Sequence, residues 1–113
     1  MNTFDDLFVR DFDDCNGNPY TVKSLKRDIA AGRPINERLL KLIIWGDLPT
    51  IAEVVETYNV GHHKGAEIRA TVVRVDSKLY GVLSNFDDYE GTTFNTASFV
   101  PTRPCIKYGF DFP

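Results

Sequence analysis

The hydrophobic pattern of this chain changes at Gly65, and that change constrains the fold more than any other feature. Before Gly65, apolar residues recur every three or four positions, which is the spacing of an amphipathic helix. After it, β-branched and polar residues alternate in short runs between turn residues, which is typical of strands. Helices grouped before strands indicate an α+β fold. The 113-residue chain is therefore predicted to be a single domain over residues 1–113, with a helical half at 1–60 and an antiparallel β half at 66–110.

Three to four short helices are predicted in the first half. Thr21 is a suitable start for one helix and Gly32 ends it, and another follows Pro34 and ends at Gly46. Two further segments carry apolar residues at helical spacing. These residues are Phe4, Leu7, Phe8 and Phe12 within residues 1–14, and Ile51, Val54, Val55 and Tyr58 after "DLPT".

An antiparallel meander of about four strands is predicted in the second half. The strands are "IRATVVRV", "LYGVLSNF", "TTFNTASFV" and "CIKYGF", and the first two turns are "DSK" and "DDYEG". The alternation slips at Val72 and Val73, which suggests a β-bulge there.

Charge and cysteine content narrow the function classes. The net charge is −3, but residues 1–19 sum to −4 (five Asp, one Arg) and residues 20–45 to +4 (six Lys/Arg, two Asp/Glu). An acidic chain argues against direct nucleic-acid binding, although the segment at 20–45 could form a separate basic face. The acidic N-terminus does not resemble a secretory signal, and no apolar run reaches membrane-helix length. With Cys15 and Cys105 far apart, a reduced, cytoplasmic protein is expected.

No motif for a metal, cofactor or catalytic centre is found in the sequence. A calcium loop beginning at Phe12 would have no acidic ligand at its first position, and Lys23 would occupy its twelfth. His62 and His63 are adjacent, which is unlike the spacing of a zinc site, and neither cysteine belongs to a C-x-x-C pair. Glycine-rich phosphate-binding loops are absent from the sequence. We therefore expect no metal, no cofactor and no enzymatic activity.

The tripeptide Phe-Asp-Asp occurs three times, and it gives the candidate binding residues. Adjacent aspartates diverge on a helix or strand, so each pair favours a turn or a solvated face over catalysis. The phenylalanines are expected to anchor in the core, and the acids to face water or a partner. The third copy falls at a predicted hairpin tip that also holds an aromatic residue. The predicted partner-binding residues are Asp5, Asp6, Asp13, Asp14, Phe86, Asp87, Asp88, Tyr89 and Glu90.

An alternative function is DNA binding through a helix-turn-helix at residues 48–75. "PTIAEVVETYNVG" resembles the first helix and turn of such motifs, with Val55 at the small buried position and Asn59 in the turn. The second helix would contain Gly65 and the strand-like "IRATVVRV", which opposes this hypothesis.

The segment "GAEIRATVVRVDSKLYGVLSNFDDYEG" (65–91) resembles the C-terminal hairpin of small acidic phage and prophage accessory proteins, including anti-CRISPR and other anti-defence inhibitors. The resemblance covers about a quarter of the chain. It implies a non-enzymatic phage or mobile-element protein that binds and inhibits a host nuclease or other nucleic-acid-binding complex. The basic segment at 20–45 departs from a uniformly acidic DNA mimic, so a protein–protein wedge is an equal alternative. The oligomeric state is left open.

Overall fold

The structure is a computed structural model, and it describes residues 7–13, 17–94, 96–105 and 109–111. Two helices and nine strands are found within these ranges. In chain order they are β1 (Phe8–Asp13), β2 (Pro19–Thr21), α1 (Val22–Ala31), α2 (Glu37–Ile44), β3 (Glu53–His63), β4 (Ala66–Val75), β5 (Lys78–Asp87), β6 (Gly91–Thr93), β7 (Val100–Pro101), β8 (Arg103–Cys105) and β9 (Gly109–Asp111).

The main element is a five-stranded antiparallel sheet in which β3, β4, β5 and β6 lie side by side in chain order. Its order is β3-β4-β5-β6, and β7 also pairs with β5. β4 and β5 pair without interruption from Glu67 opposite Phe86 to Val75 opposite Lys78. Two smaller sheets, β1-β2 and β8-β9, have two strands each. The predicted antiparallel meander is thus present.

Capping residues define both ends of α1 and the start of α2. The Thr21 hydroxyl accepts a hydrogen bond from the Ser24 N–H (3.1 Å), which satisfies a free donor at the start of α1. Gly32 ends α1 in the left-handed region (φ 71°), which costs glycine little. The Asn36 side chain accepts from the N–H groups of Arg38 and Leu39 and starts α2.

The core forms between the two helices and one face of the main sheet, here called the helix-side face. The helices contribute completely buried aliphatic side chains, and burial of each stabilises the fold by about 1.5–3 kcal/mol. Phe99, which precedes β7, is also completely buried. The principal core residues are Leu25, Ile29, Leu39, Leu40, Ile43, Val73, Val75, Tyr80, Val82 and Phe99.

The prediction of a helix at residues 1–14 is wrong where the structure describes it. Phe8–Asp13 is strand β1, which pairs antiparallel with β2. Gly17, at φ 82°, lies between the two strands, and the Val22 N–H donates to the Leu7 carbonyl (2.8 Å). β1 and β2 are consecutive strands that form a hairpin. The pairing depends on the second strand, which the helical spacing of the phenylalanines in the first did not reveal.

The helix predicted over Ile51 to Tyr58 is also wrong, because β3 occupies Glu53–His63. This strand is rich in β-branched residues and pairs with β4 over its whole length. The helix-turn-helix hypothesis for residues 48–75 fails for the same reason, since this region forms the β3–β4 hairpin. The division into a helical half at 1–60 and a β half at 66–110 fails with it. The described residues hold two helices, not three to four.

Two smaller expectations need correction. "TTFNTASFV" was expected to form one strand, but its described residues hold only the end of β6 and the start of β7. The bulge expected at Val72 and Val73 lies in the neighbouring strand β3, opposite those two residues. Both valines are completely buried, on opposite faces of the sheet, and this explains their break in alternation. No helix in the described part of the chain has the length and apolar character needed to cross a membrane.

Candidate partner-binding site

The third Phe-Asp-Asp copy lies at the tip of a hairpin, as the sequence predicts. Asp87, the last residue of β5, is opposite Gly91, the first residue of β6, and residues 88–90 form the turn between them. Gly91 has a φ of 74°, a conformation that favours glycine at the end of the turn. We call residues 87–90 the acidic tip.

The two aspartates of the acidic tip have different roles. The Asp87 carboxylate Oδ1 accepts a hydrogen bond from the Tyr89 N–H (2.8 Å) and another from the Glu90 N–H. A side-chain acceptor that binds backbone donors two and three residues ahead fixes the turn, as aspartate does at a helix start. Asp88 is exposed. Asp87 therefore holds the turn, while the neighbouring carboxylate faces solvent.

Tyr89 is 99% exposed, which is extreme for an aromatic residue in a chain with a well-filled core. It lies between the exposed carboxylates Asp88 and Glu90. A phenol ring flanked by acids is suited to a cationic surface, because the ring face attracts Arg or Lys and the carboxylates pair with the same charges. The tip can thus offer both contact area and charge to a basic partner.

The hairpin behind the tip is held by a cluster on the helix-side face. The Arg69 guanidinium lies over the Phe86 ring, 4.5 Å from the ring centroid. Arg69 also pairs with Glu67 (2.9 Å), and Asn59 Nδ2 donates to the same carboxylate (2.8 Å). These hydrogen bonds, with that from Arg69 the stronger, hold the pKa of Glu67 below its ordinary value. Phe86 is half-buried and supports the tip through this contact, and its predicted partner-binding role stays a prediction.

A shallow cleft of about 270 Å³ lies beside this cluster, and it was not foreseen from the sequence because β3 was predicted to be a helix. Its lining residues are Thr57, Tyr58, Asn59, Glu67 and Arg69. Asn59 also uses its side-chain oxygen to accept from the Gly61 N–H (2.8 Å). The polar groups therefore bind one another, and the acidic tip is the stronger candidate site.

The remaining predicted residues cannot be joined to the tip. Asp5, Asp6 and Asp14 lie outside the described residues. Asp13 ends β1, where its backbone pairs with Pro19. A partner-binding role for these four aspartates therefore stays a prediction.

Within the described ranges, no three His, Cys, Asp or Glu side chains gather to form a metal site. His62 and His63 are successive residues of β3 and are both exposed.

Part of the basic segment at residues 20–45 forms ion pairs within the chain, since Lys26 pairs with Asp76 (3.0 Å) and Arg33 with Asp28 (3.5 Å).

Comparison of the chain with protein-family models, with curated proteins and with solved structures finds no match.

Proposed function

We propose that this chain is a non-enzymatic inhibitor from a phage or other mobile element. It binds a nucleic-acid-handling defence protein of a bacterial host, in the host cytoplasm, and the acidic tip makes the central contact. The observation that carries the proposal is Tyr89, fully exposed between two carboxylates on a turn that Asp87 holds in place. The resemblance of residues 65–91 to anti-defence inhibitors supports the same function.

The fixed geometry of the tip favours binding. An interface loses free energy when it must order a loop, and this turn is ordered by its own carboxylate before a partner arrives. Tyrosine gives a large contact area for the loss of only two side-chain torsions, and it is enriched among residues that dominate binding energy. The tip therefore has the properties of an anchor that inserts into a pocket of the partner.

The charge of the tip favours a nuclease or a related complex as that partner. Proteins that bind nucleic acid carry Lys and Arg along the path of the phosphates. Asp88 and Glu90 would be attracted to such a path, and electrostatic attraction speeds association. Occupation of that path by the tip would exclude the substrate.

The test is a phage-plating assay in bacteria that carry nuclease-based defence systems, one system per strain. Expression of the wild-type chain should restore plaque formation against at least one system. Tyr89→Ala and Asp88→Lys should each abolish that rescue. Loss of a central aromatic anchor costs about 2 kcal/mol or more, or about 30-fold in affinity.

Matched controls are available elsewhere on the surface. Trp45 is an exposed aromatic residue (60%) and Asp47 an exposed turn aspartate, so Trp45→Ala and Asp47→Lys repeat the same chemical changes away from the tip. Both controls should keep the rescue. If no system is inhibited, the proposed function is wrong. If the tip variants inhibit as well as the controls, the inhibitor does not use the tip.

A further inference from the structure

Strand β3 is the longest strand of the main sheet, and it lies at the sheet's edge. It has eleven residues, and among the described strands only β4 pairs with it. The other edge is formed by β6 and β7, which have three and two residues. Proteins usually shorten an edge strand or protect it with proline, lysine or bulges, because its free N–H and C=O groups can pair with another strand. β3 contains no proline or lysine. Its two bulges lie on either side of a central stretch, residues 56–59, that keeps regular strand pairing with β4.

The outer side of β3 is accessible and partly apolar. Eight of its eleven residues are exposed. Val55 (37% exposed) and Val60 (49% exposed) lie where the pairing with β4 is interrupted by bulges. Pairing of another strand with β3 would remove part of this apolar surface from water.

The two ends of β3 carry complementary hydrogen-bonding side chains, a carboxylate and an imidazole. Glu53 is its first residue and His63 its last, and Tyr58 is the middle residue, with one bulge on each side of it. Opposite them in β4 stand Arg74, Ala66 and Ala70, which alternate along one strand. Glu53, Tyr58 and His63 therefore lie on one face of the sheet, at matching distances from the centre.

We propose that β3 pairs antiparallel with β3 of a second copy of this chain, about a two-fold axis at Tyr58. The two five-stranded sheets then form one continuous sheet across the dimer. Glu53 of one protomer lies opposite His63 of its partner, and the symmetry repeats this contact. The two Tyr58 rings meet at the axis as a cross-strand aromatic pair. A parallel arrangement would instead place Glu53 opposite Glu53, which like charges oppose.

The test measures mass by sedimentation equilibrium over a range of concentrations. The wild-type chain should show a reversible transition from its 12.8 kDa monomer to twice that mass. Glu53→Lys and His63→Glu should each weaken the dimer about tenfold, because each removes two symmetric contacts. An equimolar mixture of the two variants should recover the dimer, since lysine of one chain then faces glutamate of the other.

Glu90→Lys is the matched control, because it makes the same charge change at the acidic tip. It should dimerise as the wild type does. Glu53 also contacts Arg74 within its own chain (3.4 Å), so thermal unfolding of each variant is recorded to confirm that it is folded. A wild-type chain that stays monomeric up to about 0.5 mM overturns the proposal. So does a mixture of variants that dissociates as readily as each variant alone.

The dimer and the inhibitory function can fail separately. The plating assay depends on the acidic tip and the mass measurement on β3. If the chain dimerises but does not restore phage growth, the pairing of β3 is supported and only the proposed inhibitory function is refuted.

Discussion

The hydrogen bonds of Asp87 predict that two adjacent aspartates will respond differently to the same substitution. Asp87→Ala removes the acceptor for the N–H groups of Tyr89 and Glu90. The turn is exposed, so water can replace part of this interaction, and the cost should match the loss of a helix-capping aspartate, about 1 kcal/mol. Asp88→Ala removes only a solvated carboxylate and should change the unfolding free energy by less than about 0.5 kcal/mol.

Urea unfolding followed by circular dichroism measures this difference. With a slope of about 2 kcal/mol per molar urea, Asp87→Ala should lower the midpoint by about 0.5 M. Asp87→Asn keeps an oxygen acceptor at the same position and should recover most of the loss. Equal midpoints for Asp87→Ala and Asp88→Ala would refute the assignment of the turn to Asp87.

Three further predictions concern the core and the cluster behind the tip. Tyr20 donates a buried hydrogen bond to Asp28 (2.6 Å), so Tyr20→Phe should lower the unfolding free energy by about 1–3 kcal/mol in urea titration; no change would contradict the bond. Phe99→Ala should cost about 3–5 kcal/mol, measured in the same way, and a loss below about 1 kcal/mol would show that Phe99 is not in the core. The hydrogen bond from Arg69 is the main cause of the lowered pKa of Glu67. This lowered pKa stabilises the fold at pH values above the unfolded pKa of about 4.3. The stabilisation is lost as the pH falls through the lower pKa of the folded state. Wild type should therefore lose more stability than Glu67→Gln between about pH 5 and 3, and parallel losses would contradict this.

The two helices could be predicted because their signals are local. The Thr21 cap, the Gly32 end and the apolar faces all lie within the segments they define. The hairpin tip was also predictable, since Asp and Gly mark a turn between two alternating runs. Asp87 and Asp88 differ because only the Asp87 carboxylate accepts hydrogen bonds from the backbone of the turn. Composition alone does not reveal which of the two does so.

The prediction of a helix over Ile51 to Tyr58, where β3 lies, failed for a specific reason. Ile51, Val54, Val55 and Tyr58 match a helical stripe, but the two bulges of β3 break the strict alternation that would have marked a strand. The β-branched content of the segment was the better guide, and pairing with β4 outweighed the spacing. The sequence did not reveal the cluster of Arg69, Glu67 and Phe86, because contacts between strands depend on the register of β4 with β5.

The serial order of the main sheet also has a consequence for how the chain acquires its structure. The strands from β3 to β6 each pair with the next strand in the chain, and β4 and β5 are joined by the tight turn at Asp76 and Ser77. Little loop must be closed before these contacts form, and short-range contacts speed folding. We expect the β4–β5 hairpin to form early in the folding transition state. The helices, which pack on Val73, Val75, Tyr80 and Val82, would then dock onto a surface that already exists.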